Sequence, residues 1–230
     1  HRPPGSGSAH KRIVEWVRVL YYKDDLTGPE QFGTYAWLGL PYETYKHALT
    51  RNLLDAVFGA KLTPDVLTKL NSATLSGYTP GTALSASFTS QWWMRSGIAG
   101  FAPDAAAHFY LPEEYKDPFG NKTKLAYDAK YDLFIQSSTD ALGNTSGVAL
   151  DLLNRPRFDY RVLAPIEMVD ANDNHAEVYF DILGMVAASA VKGKRQTDGS
   201  WEGDHLDAYT DALANPPLST VLGFCSATTQ

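Results

Sequence analysis

The chain has 230 residues, 44% hydrophobic and 20% charged, with a formal net charge of −6 and one cysteine. Such a composition belongs to a folded chain with a core and excludes both a wholly disordered chain and a disulfide scaffold. The acidic balance argues against a nucleic-acid surface, and no apolar run reaches the ~18 residues of a transmembrane segment.

Residues 1–8 (HRPPGSGS) have the content of a flexible arm or cloning remnant. A native His1 terminus could chelate copper only with a second histidine. The missing initiator Met marks a processed, truncated or tagged chain. Together with the sequons Asn121-Lys122-Thr123 and Asn144-Thr145-Ser146, it fits an exported protein.

Ser8 can cap a helix running to about Lys23, with Ile13, Val17, Leu20 and Tyr21 opposite Lys11, Glu15, Arg18 and Tyr22. A strand here would place Glu15 on the parity of Val17 and Val19, which favours the helix. Pro41 suits the first turn of a second helix with the stripe Tyr45, Leu49, Leu53, Ala56 and Val57, stopped at Gly59. Thr63-Pro64-Asp65 starts a third helix that buries Val66, Leu67 and Leu70 and ends near Ser76-Gly77.

After Thr79-Pro80-Gly81 the period changes to two. Leu84, Ala86 and Phe88 alternate with Ser and Thr as in a strand, which would place Trp92 and Trp93 on opposite faces. Tyr127 to Gln136 reads as another strand. From Arg157 to Val191 the pattern predicts a long β-hairpin around the turn Asp170 to Asn174. In its first arm Phe158, Tyr160, Val162, Ala164, Ile166 and Met168 take the buried parity, and Arg157, Asp159, Arg161 and Glu167 the other. Pro165 makes that arm an edge or a bulge. A short helix over about Asp204–Ala214 and a last strand over Leu218–Phe224 complete the chain, with no internal repeat.

The predicted fold class is α+β. An N-terminal helical layer of about three helices (residues 9–77) packs on a mainly antiparallel sheet formed by the C-terminal two thirds (78–230), and 9–230 is one domain.

Catalytic motifs are incomplete. Asp170 to Asn174 begins like a calcium loop, but His175 stands where Gly is needed. His175-Ala176-Glu177 has the His-x-Glu form of zinc deaminases without their cysteines. Gly199-Ser200-Trp201 is misspaced for a nucleophile elbow, and Cys225 lies in an apolar tail where a buried thiol is expected. Asp204, Asp207 and Asp211 fall on one face of the expected helix. His108, His175, Glu177, Asp204, His205 and Asp207 are therefore the candidate ligands of a divalent metal. Trp92, Trp93 and Trp201 are candidate contacts to a ligand or partner. The leading expectation is a non-enzymatic structural or assembly subunit of a larger complex or shell, with protein subunits, its own or others, as partners. The alternatives are a metal-assisted, hydrolase-like enzyme and a carbohydrate or small-ligand module using exposed Trp.

Overall fold

The computed structural model describes residues 13–227; the arm at 1–8, with His1, lies outside the described residues. The fold is mostly β, 34% strand against 21% helix, with five short helices among the described residues. This overturns the predicted N-terminal helical layer. Two compact units divide the chain, His1–Lys124 and Leu125–Gln230.

In the first unit, β1 (Val17–Tyr21) and β2 (Pro41–Thr50) are followed by α1 (Arg51–Phe58), α2 (Pro64–Leu70) and α3 (Ala73–Ser76). Then come β3 (Tyr78–Pro80), β4 (Gln91–Arg95), β5 (Ile98–Gly100), β6 (Glu114–Lys116) and β7 (Lys122–Tyr127), which runs across the unit boundary. An antiparallel sheet has the order β1-β2-β4-β3. β5, β6 and β7 form an antiparallel ribbon.

Both helices predicted before Gly59 are corrected at their starts. The strand begins at Val17, beyond Glu15, so the parity of Glu15 is no obstacle; Glu15 instead reaches Lys46 of β2 at 2.5 Å. Pro41 opens β2 rather than a helix, a position where its missing N–H costs no ladder bond. Only α1 remains of the second helix. The third start holds: the Thr63 hydroxyl accepts from Val66 N–H at 3.3 Å, and Gly77 takes φ 73° past α3. Val66, however, is exposed.

Residues 84–88 are not a strand. They fold into 3-10 turns at Gly81–Ala83 and Ala86–Phe88, packed so tightly that a Cβ on Gly81 would lie 2.1 Å from the Phe88 carbonyl oxygen. β4 does place its two indoles on opposite faces. Trp93 packs with Tyr45, Leu84 and Phe88, and Trp92 with Leu54 and Leu62. The first unit thus has a small apolar core on each side of its sheet.

The second unit contains β8 (Ile135–Thr139), β9 (Thr145–Val148), the short pair β10 (Phe158–Asp159) and β11 (Ala164–Pro165), and then β12 (Glu167–Val169). β13 (His175–Phe180), β14 (Val186–Arg195), β15 (Trp201–Gly203), α4 (Asp211–Ala214) and α5 (Leu218–Ala227) complete it. The sheet order here is β8-β9-β12-β13-β14-β15, with every neighbour antiparallel.

Several expectations fail in this unit for local reasons. Tyr127–Gln136 is broken at the buried Asp128, whose carboxylate accepts from Lys130 N–H, Tyr131 N–H and the Tyr160 hydroxyl. The Asp170–Asn174 turn forms as predicted, but the apolar run after it is two strands, because Asp181 starts a second turn. Glu167 is buried and Met168 exposed, the reverse of the predicted parity. Residues 204–210 are not helical, so Asp204 and Asp207 share no helix face with Asp211. The tail at 218–227 is helix α5 rather than a strand, and its Cys225 is exposed.

Candidate functional site

One turn design recurs five times, beginning at Asp117, Asp140, Asp151, Asp170 and Asp181. In each, the first residue and the fifth exchange a backbone bond of 2.9–3.0 Å from the aspartate N–H, and the fourth N–H returns to the aspartate carbonyl. Aspartate is chosen because its Oδ1 accepts from the second and fourth N–H groups after it, all at 2.8–2.9 Å. The fourth residue has positive φ: Gly120, Gly143, Asn154, Asp173 and Gly184, the types that tolerate it. In four turns the fifth side chain donates to Oδ2, from Asn121, Asn144, Arg155 and Asn174. That bond is the main reason Asp117, Asp140 and Asp170 titrate below the usual carboxylate range, and the one from Arg155 holds Asp151 at about 2.

The expectation of no internal repeat is corrected as well. Asp140–Arg155 and Asp170–Met185 superpose in sequence at an offset of thirty residues, keeping Asp, Ala, Asn, Val, Asp and Leu at matching positions. The tips of these turns carry apolar side chains into solvent: Phe119, Leu142, Leu152, Leu153, Ile182 and Leu183.

The sheet of the second unit buries charge where an apolar core would be expected. Glu167 of β12 sits opposite Glu177 of β13, and His175 opposite Lys192 of β14. Lys192 Nζ donates to Glu177 Oε1 at 2.6 Å and to Glu167 Oε1 at 2.9 Å. Arg157 Nη1 pairs with Glu167 Oε2 and stands 3.4 Å from Glu177 Oε1. His175 Nδ1 lies 2.6 Å from Glu167 Oε1, and Leu206 N–H donates to Glu177 Oε2 at 3.0 Å. The Trp201 ring covers Lys192 Nζ at 4.2 Å. Glu167, Glu177 and Lys192 are each at most 3% exposed.

Burial alone would raise the Glu177 carboxyl. Its bonds from Lys192 and Leu206, with the charges of Lys192 and Arg157, outweigh that and hold it below the usual range. Burial would likewise lower the Lys192 ammonium, but its bonds to Glu177 and Glu167 raise it. Two carboxylates and two cations therefore satisfy one another, which makes the network a fixed brace rather than a free acid or base.

Only some of the predicted site residues belong to this brace. His175 and Glu177 belong to it, and Asp207 joins Glu177 in the wall of a cleft of about 360 Å³. His205 Nδ1 is 3.3 Å from Asp207 Oδ2 and Asp204 N–H bonds the Val191 carbonyl, while His108 is in the other unit beside Asp104 at 3.6 Å. Among the described residues no three His, Cys, Asp or Glu come together as a metal would require. Trp92 and Trp93 are core residues, and Trp92 Nε1 donates to Asn71 at 2.9 Å. Sequence reasoning missed Glu167, Lys192 and Arg157; the available signal was a charged residue inside an apolar run on each of three neighbouring strands.

No protein-family model and no curated protein matches the chain. Among solved structures the fold is similar to that in TcdB2-TccC3, at 22% identity and TM-score 0.63 over 90% of this chain. It is also similar to a chain of a Photorhabdus luminescens Tc holotoxin pore, at 23% identity and TM-score 0.63 over 84% of this chain. The chain spans only 9% and 8% of those two chains. At such identity the likeness is one of fold.

Proposed function

We propose that this chain is a structural wall segment of a large, toxin-complex-type shell, held in place by protein surfaces on its turn tips and faces. The observation that carries the reading is the imbalance of its apolar surface. Among the described residues 13 hydrophobic side chains are buried, while 33 large ones are exposed, including Trp37, Leu142 and Leu152. Scattered exposed apolar residues are ordinary. Series of them on four turns of one design, over a sheet whose interior is ionic, are what a segment covered by neighbours would have. The similarity to TcdB2-TccC3 and to a holotoxin pore, each many times longer than this chain, supports the same reading. The metal-assisted alternative has less to stand on, since the brace already satisfies His175 and Glu177.

The test is the solution mass of the purified chain by light scattering, with binding of an apolar dye. Concentration-dependent association and strong dye binding are expected, both reduced when Leu142, Leu152 and Leu183 are changed to Ser. A monomer with no dye binding would overturn the reading.

A further inference from the structure

Among the described residues three buried side-chain nitrogen or oxygen atoms have no hydrogen-bond partner: His47 Nε2, Gln91 Oε1 and Trp93 Nε1. All three belong to the paired strands β2 and β4, and His47 stands directly opposite Trp93. The imidazole packs against two indoles, 5.7 Å from the Trp16 ring and 5.2 Å from the Trp93 ring. Those indoles meet edge-on at 5.0 Å, and Trp16 reaches Phe88 at 5.1 Å. The His47 N–H also donates to the Trp16 carbonyl at 2.8 Å. Trp16 immediately precedes β1, the edge strand of its sheet, so these contacts fasten the start of that edge.

A neutral imidazole can keep its proton on Nδ1 and leave Nε2 bare, whereas the imidazolium carries a proton on both nitrogens. The proton on Nε2 then lies among rings with no acceptor in reach, which is costly for a buried donor. No free carboxylate offsets that cost. On the same face Glu43 accepts from Arg95 at 2.6 Å and from the Tyr45 hydroxyl. The other charges there are cations, Arg95 itself and Arg18, whose guanidinium is 5.1 Å from the Trp16 ring. Lys46 alternates to the opposite face and pairs with Glu15 at 2.5 Å. Leu20, Phe32, Leu84 and Phe88, which complete the cluster, carry no ionisable group. Burial holds the His47 imidazole below its ordinary 6.5.

We propose that this cluster is an acid-released clasp, in which protonation of His47 expels the Trp16 ring and frees the edge strand β1. Above 6.5 the imidazole is neutral whether the clasp is closed or open, so closure has its full strength. As pH falls below 6.5 the open form takes up the proton first, and closure weakens by up to about tenfold per pH unit. The weakening ends at the lower value of the closed form. An edge strand freed in this way presents backbone N–H and C=O groups with which another chain can pair.

The experiment is hydrogen exchange of the whole chain between about pH 7.5 and pH 5, with protection expressed relative to the intrinsic rate at each pH. Protection of the β1 amides and of the His47 amide falls as the pH is lowered. In His47→Phe, which keeps a ring but takes no proton, protection stays level; His47→Gln, a neutral amide, gives the same level profile and serves if the Phe variant does not fold. In the unaltered chain the imidazole C–H resonance that these variants lack titrates below 6.5. Level protection in the unaltered chain, or an equal fall in the variants, would overturn the proposal. So would an imidazole titrating at or above 6.5, because the indole faces would then be holding the cation.

Discussion

Replacing Lys192 by Met tests whether the second unit is braced by charge. Met keeps most of the volume and leaves Arg157 as the one remaining Lys or Arg partner of Glu167 and Glu177, beside the His175 ring and the Leu206 N–H, so two buried carboxylates share one guanidinium. Breaking a buried pair by removing one partner costs about 3–5 kcal/mol, because the remaining charge is left uncompensated. The Trp201 ring also loses the cation 4.2 Å from its centre. Four of the five tryptophans lie in the first unit, so whole-chain fluorescence would report the wrong region. Hydrogen exchange of the β13 and β14 amides reads the second unit directly. A cost of this size accelerates their opening by roughly a hundredfold to a few thousandfold. Lys192→Met combined with Glu177→Met restores one-to-one charge at Glu167 and Arg157 and recovers at least half of the loss. A single-variant effect below about tenfold, or a double variant no better than the single, would refute the reasoning.

Three further outcomes follow from the same structure. Glu177 is depressed below its ordinary 4.5, so its contribution is complete above that pH and is lost as pH falls through the folded value. Lys192 is raised above 10.5, so its contribution is complete below that pH and is lost as pH rises through the folded value; the opening free energy of the β13 and β14 amides, taken from their protection relative to the intrinsic exchange rate at each pH, should be flat between these limits and fall outside them. Trp93→Ala should cost the first unit about 3–5 kcal/mol in thermal unfolding followed by circular dichroism, since the indole is fully buried against Trp16, Tyr45 and Phe88. Asp170→Ala should strip exchange protection from the Asn172 and Asn174 amides, whereas Asp170→Asn, which keeps an Oδ1 acceptor, should preserve most of it.

What could be read from the sequence was what the chain decides locally. Thr63-Pro64-Asp65 starts a helix through its own cap, and Asp170 to Asn174 turns through its own side chains. The edge strand at Val17 was hidden because its partner, β2, lies more than twenty residues away and helical spacing fits the same residues. Leu84 to Phe88 alternates like a strand, yet Gly81 lets the backbone close onto Phe88. Parity failed at Glu167 for a different reason. A carboxylate is expected to face water, and only the pairing with Lys192 and Arg157 from other strands makes its burial tolerable. The recurrence of the aspartate turn was in plain view, but its identity lies in bonding and positive φ more than in letters.

The claim that this chain is a covered wall segment rests on its apolar turn tips. Its most direct test is the mass of the isolated chain across a concentration series, beside the Leu142→Ser, Leu152→Ser, Leu183→Ser triple variant. The account predicts association of the unaltered chain and a shift toward a single-chain mass in the variant. A single-chain mass for both at every concentration, with no dye-accessible apolar surface, would contradict it.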